Sequence, residues 1–128
     1  MKLGFLLRIS AIYMAVAGLA FIVAPQAIGT GAVPADASPA LVAYLRLFGG
    51  PFLGIAVLNW TGRNAEPSTA RNAIILGNMI GFATVAAVDV WGLFSGARQA
   101  AKVFVVIHLL FAGAFIRVGR RSWSARTI

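Results

Sequence analysis

The sequence predicts an all-α fold: a transmembrane antiparallel four-helix bundle. Three observations lead there. Four apolar stretches, Leu3–Val23, Ala40–Trp60, Ala73–Phe94 and Ala100–Val118, fill most of the 128 residues. Each is about 20 residues, the length a helix needs to cross a hydrocarbon layer about 30 Å thick. The chain is 60% hydrophobic and 11% charged, whereas a soluble domain carries about 25% charged residues. Most of the charge also lies between the stretches, so lipid rather than water is the solvent that suits them. What remains is too short for a second domain, and residues 1–128 read as one integral membrane unit.

The first stretch follows Lys2 and includes Arg8. A signal peptide is the alternative reading. Its apolar part is too long for one, and the small-residue site Ala35-Asp36-Ala37 lies too far beyond it. The loop Pro25–Pro39 is rich in Pro, Gly, Ala and Ser; it should be irregular or carry a short surface helix. In the second stretch Pro51 removes a backbone donor and should kink the helix near Phe48–Pro51. Gly62, Asn64 and Pro67 form the next turn, and Ser68 should cap the third helix. Ser95-Gly96 should close that helix, Gly being the usual terminator.

The net charge of +8 arises from 11 Lys and Arg against three acids. Nucleic acid is excluded as a partner because no basic stripe with interleaved aromatics is present; topology and anionic headgroups explain the charge. One side of the membrane receives Lys2, Arg63, Arg71, Arg117, Arg120, Arg121 and Arg126, with Glu66 its only acid. The other receives Asp36, Arg98 and Lys102. Positive residues in short loops stay inside, so a multi-pass cell-membrane protein with both termini cytoplasmic is expected (the inner membrane in a Gram-negative cell). Trp60 and Trp123 should then mark the inner interface and Trp91 the outer one.

The two halves align weakly at an offset that matches Ile12 to Ile75, Gly18 to Gly81 and Gly50 to Gly113. A parallel repeat of two helical hairpins is one reading; chance among Ala-, Leu- and Gly-rich helices is the other. Gly50 and Gly54, and Gly77 and Gly81, are spaced as GxxxG, which lets helix backbones approach closely. These four positions are the expected packing glycines.

Three polar residues sit inside the stretches at similar depth. Arg46, Asp89 and His108 each lie about four to eight residues from the same membrane face, at about 1.5 Å per residue. A lone charge there is costly, so an Arg46–Asp89 ion pair with His108 nearby is expected. The cluster reads either as a structural pair that fixes helix register or as a ligand-binding, proton-responsive pocket, His being the side chain that titrates near neutral pH. A third reading has Arg46 reaching outward to the headgroups, never meeting the others. Arg8 and Asn78 are secondary polar positions. Arg8 should anchor to headgroups or else partner Asn78, and Asn78 and Asp89 share one face of the third helix through Phe82 and Val85.

Catalytic chemistry is not evident. There is no cysteine, hence no disulfide, thiolate metal site or CxxC redox pair. One His cannot build a multi-histidine metal site, and no HExxH, GxSxG or P-loop pattern occurs. No Ser lies at the depth of His108 and Asp89 to complete a triad. No cofactor or metal is implied.

The string Arg46-Leu47-Phe48-Gly49-Gly50-Pro51-Phe52-Leu53-Gly54, after a loop opened by Ala24-Pro25-Gln26, resembles a group of small bacterial four-helix membrane proteins, distantly DoxX-like. The resemblance implies the fold and a loose link to quinone-associated membrane proteins. It also implies a Gly-Arg and an Asp-Gly toward the end of helix three; here Asp89 is present, Thr84-Val85 stands where the Arg would fall, and Val90-Trp91 precedes Gly92. Two functions stay open: an accessory or structural subunit of a larger membrane complex, or a homo-oligomer, without catalysis; and a carrier or binder of a quinone, lipid or proton-coupled small molecule through Arg46, Asp89 and His108.

Overall fold

The computed structural model describes residues 2–28, 33–96 and 101–124. Arg98 and Arg126, and the side chain of Trp123, lie outside the described residues. The elements are α1 (Leu3–Val23), α2 (Pro25–Ile28), α3 (Pro39–Leu47), α4 (Gly49–Gly62), α5 (Thr69–Phe94) and α6 (Ala101–Ser124). No strand occurs among the described residues. Four helices are long and apolar enough to cross a membrane: Leu3–Val23, the combined α3–α4 run Pro39–Gly62, Thr69–Phe94 and Lys102–Ser122. The chain is an all-α four-helix bundle.

Helix ends follow local chemistry. Ser68 caps α5, its hydroxyl accepting from the Arg71 N–H at 3.2 Å, and Ser38 caps α3 in the same way through Leu41. Gly96 ends α5 with φ of 71°, a backbone state that costs a side-chain-bearing residue energy. α5 starts at Thr69 rather than Ala73, and α6 continues past Val118 to Ser124. Both extensions are polar turns beyond the apolar part, which hydropathy alone does not mark.

The helix is interrupted where Pro51 predicts, between Leu47 and Gly49. Pro51 cannot donate to the Leu47 carbonyl, and the backbone breaks at Phe48, between α3 and α4. The Phe52 N–H reaches the Phe48 carbonyl only at 3.4 Å.

α1 packs along α4 and α5 along α6, while narrower contacts join α4 to α5 and α1 to α6. The helices thus run up and down in the ring order α1, α4, α5, α6. α3 touches α1, α2 and α4 but neither α5 nor α6. The core between the layers holds Leu6, Leu7, Met14, Ala56, Ile75, Phe82, Ala112, Phe115 and Val118. Large apolar side chains also cover the outside, including Ile12, Val16, Leu19, Val88, Trp91 and Leu110. An apolar exterior of that extent fits lipid, not water.

The glycines that join the helices differ from the expected ones. A Cβ on Gly49 would lie 2.6 Å from the Gly18 carbonyl oxygen and also strike Ile22, and one on Gly4 would lie 2.7 Å from the Arg63 carbonyl oxygen. A Cβ on Gly62 would lie 2.6 Å from Ile74 Cδ1. Gly18–Gly49 is therefore the close α1–α4 approach. Gly50, Gly54, Gly77 and Gly81 have nothing within 4 Å of an added Cβ. The GxxxG spacing marked small residues, but which of them meet a neighbour depends on helix rotation, which spacing does not fix. The aligned positions Gly18 and Gly81 also differ: one is packed, the other open.

Candidate functional site

Two polar clusters occupy the bundle interior. The first lies toward the end of the bundle away from the termini. Tyr13 on α1, His108 on α6 and Asp89 on α5 form a chain. The Tyr13 hydroxyl is 2.7 Å from His108 Nε2, and His108 Nδ1 is 2.6 Å from Asp89 Oδ2. His108 is 8% exposed. With Nδ1–H donating to the carboxylate, Nε2 carries a lone pair and accepts the Tyr13 O–H; with both ring nitrogens protonated, the imidazolium donates at both ends. Either state is satisfied without moving a heavy atom. Among the described residues, His108–Asp89 is the one ion pair.

Aromatic rings hold this chain in place. Phe104 stacks on His108 with centroids 6.1 Å apart, and Tyr13 meets the imidazole edge-on at 5.8 Å. Phe82 stacks on Phe111 at 4.5 Å and on Phe115 at 5.8 Å. Packed rings restrict the rotamers of Tyr13 and His108 and keep the polar groups aligned.

The expected trio is corrected here. Asp89 and His108 meet, but Arg46 does not join them. Its side chain is exposed on α3, and the Asp89 carboxylate pairs with His108 instead. α3 makes no contact with α5 or α6, so the exposed Arg46 side chain has no route to the Asp89 carboxylate. Arg46 thus fits the outward-reaching alternative. Arg8 is also exposed, and Asn78 finds its partners elsewhere.

Those partners form the second cluster. Asn59 on α4 and Asn78 on α5 exchange amide hydrogen bonds: Asn59 Nδ2 donates to Asn78 Oδ1 at 2.8 Å, and Asn78 Nδ2 donates to Asn59 Oδ1 at 2.6 Å. Asn59 Nδ2 also donates to Ser10 Oγ at 2.8 Å, and Asn78 Nδ2 to the Ile74 carbonyl at 2.9 Å. The Ser10 hydroxyl donates to Asn78 Oδ1 at 3.3 Å. Ser10 and Asn59 are fully buried. All four amide donors are used, which is how polar groups persist in a lipid-facing bundle.

Each cluster borders a cavity. One, of about 340 Å³, is lined by Tyr13, Asp89 and His108 together with Phe21, Phe52 and Phe104. The other, of about 400 Å³, is lined by Asn59, Asn78, Leu58, Ala73, Gly77 and Ile74. Both include Met14, Ile55, Gly81 and Phe82.

Sequence reasoning missed Tyr13 and Ser10 and gave Asn59 no role. A signal was present: Leu7, Ser10, Ala11, Met14 and Gly18 follow helical spacing on one face of α1, and they are buried. Tyr13 stands at the margin of that face with its ring against Phe82. Comparison with protein-family models, curated proteins and solved structures finds no match for this chain.

Proposed function

We propose that this protein binds a lipid-soluble small molecule with a flat, oxygen-bearing ring, of the quinone type, in the cavity beside Tyr13, His108 and Asp89. One observation carries the reading: a hydrogen-bonded Tyr–His–Asp chain opens onto a cavity of about 340 Å³ walled by aromatic rings. Ligand pockets are commonly of this size, mostly apolar with a few convergent polar groups. When His108 Nε2–H donates to the Tyr13 oxygen, the Tyr13 O–H is released to donate to a ring carbonyl, and Phe52 and Phe104 offer ring faces. An accessory subunit would need only a closed pair and no cavity, so the open space favours the binder. The resemblance over Ala24–Gly54 to distantly DoxX-like proteins, with its loose link to quinone-associated membrane proteins, points the same way.

The cation distribution supports a bacterial cell membrane with both termini cytoplasmic. Lys2, Arg63, Arg71, Arg117, Arg120 and Arg121 gather at the end that carries the termini, and Arg63 lies over Trp60 at 4.3 Å from the ring centroid, as interfacial anchors do.

The test is calorimetric titration of the purified full chain in micelles with a tail-less benzoquinone, for the parent protein, Tyr13→Phe and His108→Ala. Saturable binding that weakens at least tenfold in His108→Ala is the expected result. Equal affinity in all three proteins would refute the assignment.

A further inference from the structure

We infer that the ligand is a long-tailed amphiphile: its head sits at Tyr13–His108–Asp89 and its apolar tail lies along the cleft between α4 and α5. The inference rests on the binding reading above and adds the tail, its path and its entry from lipid.

Two adjoining cavities make up the cleft of this inference, and their ends are unlike. They share Met14, Ile55, Gly81 and Phe82. The head end presents Tyr13, His108 and Asp89. The other end is apolar except for Asn59 and Asn78, and every amide donor there is already engaged. It therefore has no free donor for a polar group and suits hydrocarbon.

Helix geometry explains the opening. α4 and α5 touch near their connecting loop, through Gly62 against Ile74 and through the Asn59–Asn78 pair. Farther along, a Cβ added at Gly77 or Gly81 would meet nothing within 4 Å. Gly77, Gly81, Val85 and Asp89 recur every four residues, so they form one stripe on α5. That stripe lines the cleft from its apolar end to its acid. Between Gly77 and Asp89 the helix rises about 18 Å, a distance that suits a head plus a chain and not a compact solute. Gly77, Gly81 and Val85 on α5, with Pro51 and Leu58 on α4, are exposed as well as cavity-lining, which leaves the seam open sideways. A tail arriving from lipid gains no hydrophobic transfer, since lipid is equally apolar; what it gains is dispersion contact with the cleft walls. Selection therefore falls to the head, and the cleft sets which molecules fit.

The experiment compares a tail-less benzoquinone with its decyl-tailed derivative on the full chain in micelles, for the parent protein and Gly77→Leu. Partition of the tail into micelles is common to both proteins, so the change between proteins is the readout. Gly77→Leu should weaken the decyl-tailed quinone at least tenfold and leave the tail-less one unchanged. Ala73→Leu, which narrows the same cleft from an exposed position, should act alike and serves if Gly77→Leu does not fold. If the variants leave the decyl-tailed affinity unchanged, or weaken both quinones equally, the tail inference is overturned while head binding stands. If neither quinone binds the parent protein, the head reading fails and takes this inference with it.

Discussion

Asn59→Leu should destabilise the bundle by about 2 kcal/mol, with an upper bound near 4. The substitution removes three hydrogen bonds, from Asn59 to Ser10 and in both directions between Asn59 and Asn78. Interhelical side-chain hydrogen bonds in a membrane contribute about 0.6 kcal/mol each on average and about 1.7 at most. Three average bonds give the central figure. The upper bound stays below three maximal bonds because only one Asn78 N–H loses its acceptor: Asn78 Nδ2 keeps the Ile74 carbonyl, and Ser10 keeps Asn78 Oδ1. Leucine is similar in size, so cavity formation adds little. Asn78→Leu should cost a comparable amount. The double variant should cost clearly less than the sum, because neither amide is then left facing an apolar partner. Reversible unfolding by dodecyl sulfate in mixed micelles measures all three. Additivity of the two single losses to within about 0.3 kcal/mol would refute the reciprocal amide bridge between α4 and α5.

Two further changes test the helix contacts and the ion pair. Gly49→Ala should destabilise by about 1–3 kcal/mol through overpacking against Gly18 and Ile22, whereas Gly54→Ala should be neutral or stabilising by up to about 1 kcal/mol from helix propensity; the same unfolding assay separates them, and equal effects would contradict the packing. Arg46→Gln should alter stability by less than about 0.5 kcal/mol, while Asp89→Ala should cost about 1–3 kcal/mol because His108 loses its acceptor; a loss on Arg46→Gln matching that of Asp89→Ala would restore the Arg46–Asp89 pair.

The bundle was legible because it rests on local facts. Runs of apolar residues, Ser68 at a helix start, Gly96 after a helix end and Pro51 within a run each dictate backbone behaviour with little help from distant residues. The site was legible only in part. Asp89 and His108 were found because an ionisable group in lipid needs a partner, and depth alone brought them level. Arg46 was misplaced because depth says nothing of direction: α3 and α5 do not touch, and only the assembled helices reveal that. Tyr13 was overlooked because a tyrosine in an apolar stretch passes for core, and its hydroxyl gains meaning only beside His108. Ser10 and Asn59 depend on the rotation of α1 and α4 about their axes, which Gly18–Gly49 and Gly62–Ile74 packing sets. The GxxxG pairs failed for the same reason.

The most direct test is native mass spectrometry of the full chain, extracted gently from its own membrane and released from micelles. The parent protein should carry one lipid-soluble adduct per chain, absent from His108→Ala prepared identically. A bare parent chain, or the same adduct on both proteins, would contradict a ligand seated at Tyr13, His108 and Asp89.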